Sequence, residues 1–217
     1  MIRQAWHKYI FFKGCGRSAP KLKLLWRKHS FLTPALRRIL CNALIQLHLD
    51  YARSAWYTNL QKTFSDNLQV CQNKCIRFCL SLGNRSHIGI REFKEIHWHP
   101  VWARFEQNVA THVFKQQYKL APKYMDEIFT SADQCKIKTR SSSNKLIQPH
   151  RNRDSGYKAI SYLGPKLWNN LPLDMKTSIN PNSFKHKVKK LFFETLRLDT
   201  IRLRFIQIVF RVSHSGT

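Results

Sequence analysis

Thr33-Pro34 followed by ALRRILCNALIQLHLDYARSAWY is the feature that most limits what this chain can become. A threonine that can accept from the first free N–H groups, with proline next, is a helix start, because proline lacks the N–H that would be orphaned there. Leu36, Leu40, Ala43, Leu47 and Tyr51 then recur at three- and four-residue spacing. That period predicts a long helix with these five on its buried face.

The same reasoning places further helices. One is expected from about Ser65 to Leu82, with Leu68, Cys71, Cys75, Phe78, Cys79 and Leu82 inward and Gln72, Lys74 and Arg77 outward. Gly83 and Asn84 supply its stop. After IREFKEI and HWHP, Pro100 opens VWARFEQNVATHVFKQQYKL, striped by Trp102, Phe105, Val109, Val113 and Leu120. KYMDEIF is a short amphipathic piece. Residues 131–156 turn Ser-rich and basic without periodicity, the pattern of a linker or extended loop. Beyond them YKAISYL fits a short strand and GPKLWNNLP reads as turn punctuation around Trp168. Asn182 or Ser183 is expected to cap a last helix, with Phe184, Val188, Leu191 and Phe192 inward and four lysines outward. IRLRFIQIVFRV alternates like an edge strand.

The expected class is mainly α: a helical bundle, a basic linker, and a small α(+β) C-terminal region. The divisions fall at 1–30 (a basic N-terminal segment), 31–130, 131–156 and 157–217.

Charge bounds the partner. Thirty-eight Lys and Arg against twelve Asp and Glu give +26. Such an excess repels itself until a polyanion offsets it, and nucleic acid gains further from counterion release. An acidic membrane surface is the competitor, but the aromatics are spread over several amphipathic segments and not gathered on one helix. No Asp or Glu precedes Asp50, while ten Lys or Arg do. A second acid-free stretch, 134–153, holds six. No apolar run is long enough to span a bilayer, and the start lacks the pattern of a secretion signal. A nuclear or cytoplasmic, reducing setting is the expectation, with the cysteines as free thiols.

Catalytic signals are missing. With seven glycines the chain has no G-x-x-x-x-G-K loop. Its acids are scattered where two-metal chemistry needs them clustered; Asp126 and Glu127 read as solvated. Cys75, Cys79, His87 and Glu92 have the spacing C-x3-C-x7-H-x4-E, which a zinc ion accepts chemically. Yet the helical period already explains the cysteines as small hydrophobes. No cofactor is expected, with a zinc-binding interaction module as the alternative. His97 and His99 flank Trp98, either as a two-histidine ligand pair or as a turn that buries the indole. Trp168 has the same duality, base stacking or packing.

HLDYARSAW, LQVCQNKCIRF, EIHWHPV, YKLAPKYMDEIF, RSSSNKLIQP, GPKLWNNLP and SFKHKVKKLFF occur here in that order. Together they resemble the segment downstream of the polymerase palm in reverse transcriptases (RNA-directed DNA polymerases) of LINE-type non-LTR retrotransposons, over Leu22 to Phe193. The resemblance implies a helical thumb in and around 33–82 and a C-terminal extension. It also implies contact with template RNA or with RNA–DNA or DNA backbone, and possible work beside a palm-containing polymerase. The family's catalytic Asp pair lies upstream of this segment and is absent, so the chain is expected to be non-catalytic, a fragment. The alternatives are the C-terminal part of a working reverse transcriptase polyprotein and a degenerate open reading frame. Aliphatic residues or alanine stand in the family where this chain has Cys71, Cys75 and Cys79, and His99 likewise replaces an apolar residue. A thumb helix offers cations to the backbone of an A-form-like duplex. Lys74 and Arg77 suit that role, Arg140, Lys145, Arg151 and Arg153 suit a single strand, and Lys187 and Lys190 extend the basic surface of the last helix.

Overall fold

The computed structural model describes residues 18–51, 62–132, 144–157 and 159–198. It is mainly helical: among the described residues the extended pairing is a single antiparallel bridge, Ser131 with Leu146. The chain divides into two compact units, Met1–Val101 and Trp102–Thr217. No helix among the described residues is long and apolar enough to cross a membrane.

In the first unit, residues 18–27 form helix α1. This stretch, expected only as part of a basic segment, buries Leu22 and Leu25 in the unit's core. Thr33 caps α2 as its sequence requires, Oγ1 accepting from Leu36 N with Pro34 in the first turn. Helix α2 is continuous through Pro34–Cys41, a π-helical Asn42–Gln46 and Leu47–Asp50. Lys21 of α1 donates to the Leu44 carbonyl and to His48 Nε2, at 3.4 and 2.6 Å, fastening α1 to α2.

The buried face of α2 is not the expected one. Arg37, Cys41, Ile45 and Leu49 are buried, while Leu36, Leu47 and Tyr51 are 46%, 65% and 78% exposed. Both faces carry apolar residues, and the π turn holds more residues per turn than an α turn. Positions spaced by a strict four therefore stay in line through 37, 41, 45 and 49.

Helix α3 is Lys62–Leu80, with Leu68, Gln72, Cys75, Ile76, Phe78 and Cys79 buried. Gln72, expected outside, is wholly inside. Helix α4 is Ile90–Glu95, started by Gly89 N donating to Glu92 Oε2 at 2.7 Å. The bond from its own backbone N–H and the one from Gly89 N, with Arg91 and His87 nearby, hold the Glu92 carboxyl below the usual range.

Helix α5 is Val101–Gln117. Three helices end alike. Ser81, His97 and Lys119 take φ of 57°, 55° and 54°, and the residue after each donates back to the carbonyl of Arg77, Phe93 or Lys115. This is the left-handed C-terminal closure that glycine usually fills. No described glycine has positive φ, so Gly83 is not the stop of α3.

The second unit builds its core from α5 with helices α6 (Asp154–Tyr157), α7 (Ile160–Asn169), α8 (Leu173–Lys176) and α9 (Pro181–Leu198). Phe114 stacks on Phe184 with ring centres 4.4 Å apart, and Val109, Val113, Val188 and Phe192 are buried with them. Leu120 lies past the end of α5 and is exposed. Most of the expected strand YKAISYL and of the turn GPKLWNNLP, Ile160–Asn169, is one helix, α7, with Pro165 inside it. Gly164 is the reason it fits: a β-carbon there would stand 2.8 Å from Phe129 Cζ and 3.0 Å from Val113 Cγ2. Asn180, not Asn182 or Ser183, caps α9, its Oδ1 accepting from Ser183 N at 2.7 Å.

The basic stretch expected as a linker is tied at both ends where it is described. Ala132 N donates to Lys145 O and Ile147 N to Thr130 O, each at 2.9 Å. The Asn169 amide clamps Leu146 from both sides, at 2.8 and 2.9 Å. The expected tail strand, 201–212, lies outside the described residues.

Candidate nucleic-acid interface

The cysteine-rich helix α3 has a buried side and an exposed side. Cys75 and Cys79 are buried in one core cluster with Cys41 of α2. The neighbouring Cys75 and Cys79 thiols pull the Cys41 thiol down, against burial, which pushes it up. The neighbouring Cys41 and burial raise Cys75 and Cys79, and Cys71 adds to the rise at Cys75. His87 is exposed and stands beside Gly89 with Glu92, whose carboxylate is occupied by the start of α4. Among the described residues no group of three or more His, Cys, Asp or Glu is arranged to hold a metal ion. His97 and His99 separate similarly: His97 is exposed, His99 and Trp98 are buried.

The amides of α3 form a chain that holds the HWHP segment. Gln69 Nε2 donates to Gln72 Oε1 and Asn73 Oδ1, at 3.0 and 2.9 Å. Gln72 Nε2 donates to His99 O at 2.8 Å, and Gln69 Oε1 accepts from Val101 N at 3.1 Å. The Gln-Asn pair of CQNKC is thus structural, and Lys74, next on the helix, is exposed.

Lys74 is exposed on the rim of an open groove of about 810 Å³ between α1 and α3. Across it stand Lys23, also exposed, and Trp26, half-buried. Leu22, Val70 and Leu82 supply apolar wall, and Asn67 and Asn84 supply amides. No Asp or Glu is among the lining residues. Trp26 is braced: its ring stacks on His29 at 5.1 Å and meets Phe78 edge-on at 5.4 Å.

The other expected contact residues do not converge on this groove. Arg77 is half-buried, its Nε donating to Ser86 O at 3.0 Å, which fastens the turn after α3. Lys145, Arg153 and Lys190 are exposed in the second unit. Arg151 lies against Gly156 and donates through Nη2 to Ser161 Oγ at 2.9 Å. Lys187 pairs with Asp174 at 3.1 Å. Arg140 lies outside the described residues. Trp168 is buried, Nε1 donating to Asn144 O at 3.1 Å with Lys176 Nζ 5.8 Å over its ring, so it packs. Burial lowers the Lys176 ammonium, with Lys145 adding to the shift. Asp126 and Glu127 are exposed.

Lys23 and Trp26 are the groove-lining residues that sequence reasoning misses. Their signal was present, since Leu22, Leu25 and Trp26 have helical spacing, but it is short and sits inside a charge-rich segment.

No family profile, curated protein or solved structure matches the chain.

Proposed function

We propose that this chain binds nucleic acid without catalysing a reaction on it, holding template RNA or an RNA–DNA duplex through its backbone. The observation that carries the reading is the net charge of +26 on a folded helical chain. Lys23, Lys74, Lys145, Arg153 and Lys190 are exposed cations. Phosphates offset that self-repulsion and release their counterions on contact. The ordered resemblance to the post-palm segment of LINE-type reverse transcriptases supports RNA as the polymer and a palm-containing polymerase as a protein partner. Nuclear or cytoplasmic placement follows from that reading.

Fluorescence anisotropy of labelled RNA and RNA–DNA hybrid across a salt series tests it. Binding at low salt should weaken steeply, log K falling by about 0.7 per single-strand phosphate contact, or about 0.9 on a duplex, for each decade of salt. Binding that ignores salt, or no binding at low salt, overturns the reading.

A further inference from the structure

We propose that the groove between α1 and α3 takes the base of an unpaired nucleotide, with its flanking phosphates on Lys23 and Lys74. This rests on the nucleic-acid reading above and assigns it a site. The groove combines the three things a splayed-out nucleotide requires. Trp26 is an aromatic surface that does not have to be organised on binding, because His29 and Phe78 already fix its ring. A base of any identity has a π face to lay against it. Asn67 and Asn84 each offer both a donor and an acceptor, which base edges use and aliphatic side chains do not. Lys23 and Lys74 stand at opposite rims with no acid between them, so a backbone crossing the groove meets positive charge on both sides.

Size agrees. About 810 Å³ lies within the roughly 300–1,000 Å³ of clefts that enclose small ligands. A paired base cannot enter such a cleft, since its edge is already engaged and its neighbours are stacked on it. The groove therefore separates single strands from duplexes, whereas dispersed surface lysines bind both. An acidic amphipathic peptide would satisfy the lysines, the apolar wall and the amides, but it does not carry a flat π face in every unit to lay on Trp26.

The test uses the full chain, a short labelled oligouridylate and an RNA–DNA hybrid of the same length at one salt concentration. Val70 is exposed at the groove wall, so Val70→Trp fills the groove from outside the core. It should weaken oligouridylate binding about tenfold, the loss of one stacked base, and leave the hybrid within about twofold. Equal weakening of both, or no change in either, overturns the groove site while leaving nucleic-acid binding intact. No binding of either polymer by the unaltered chain overturns the underlying reading as well. Photocrosslinking of 4-thiouridine oligonucleotide to the unaltered chain provides a measure independent of any variant's folding. Crosslinks should map to residues 18–28 or 67–84; crosslinks confined elsewhere overturn the site. Competition by an acidic helical peptide, with no effect of Lys23→Ala plus Lys74→Ala on oligouridylate, also overturns it.

Discussion

Gln72 Nε2 lies 2.8 Å from the carbonyl oxygen of His99, joining the middle of α3 to the segment that leads into α5. Both residues are buried, Gln72 completely. Gln72→Leu keeps the volume but removes a donor from a buried carbonyl and an acceptor from Gln69. The expected loss is about 1–3 kcal/mol in urea unfolding. An unchanged midpoint would show that the amide chain does not hold this segment.

Gly164→Ala should destabilise the second unit by about 1–3 kcal/mol, because the added methyl meets Phe129 and Val113 inside a packed core. Alanine's better helix propensity, about 1 kcal/mol, offsets only part of that. Adding Phe129→Leu should recover some of the loss. A double-mutant cycle with no coupling would exclude the contact as the cause.

Lys119→Gly should stabilise. Lys119 is exposed at φ 54°, where a side chain costs about 1–2 kcal/mol and glycine's added freedom in the unfolded chain costs about 0.5–1 kcal/mol. The net gain expected is about 0.5 kcal/mol, read as a higher thermal midpoint. A fall in midpoint would refute the left-handed assignment.

Glu92→Ala removes the carboxylate that starts α4 and should cost about 1 kcal/mol at neutral pH. The folded carboxyl titrates below its unfolded value of 4.5. Its contribution is therefore fully present above pH 4.5 and is lost as pH falls through the folded pKa. The gap between the variant and the unaltered chain should close in acid. A gap independent of pH would mean the helix start does not depend on the charge.

Cys71 should react with iodoacetamide before Cys41, Cys75 and Cys79. It is half-buried on the groove, whereas Cys41, Cys75 and Cys79 are 0%, 0% and 2% exposed. Peptide mapping after brief labelling reads the order, and oligouridylate should slow the Cys71 reaction. Equal labelling of all four would contradict the burial pattern.

Charge, helical class and the capped start at Thr33-Pro34 were legible in the residues themselves, because each rests on local chemistry or on a sum over the chain. The inward set Phe184, Val188 and Phe192 was legible too, since only one face of α9 is apolar. On α2 both faces are apolar, so period alone had two solutions, and packing on a π turn selected Cys41 and Ile45 over Leu36 and Leu47. The cysteines of α3 read correctly as helix-face residues, but which of them opens on a groove depends on α1 lying across it.

Sequence by itself determined a basic, mainly helical chain whose candidate contacts include Lys74. Tertiary structure alone decided that Gln72 is a buried tie and Arg77 a turn fastener. It also placed Lys23 and Trp26 opposite Lys74. The difference is one of range: caps, periods and net charge are set by neighbours in the chain. Whether an amide is buried, or which side chains face one another across a groove, is set by groups that meet only after the helices pack.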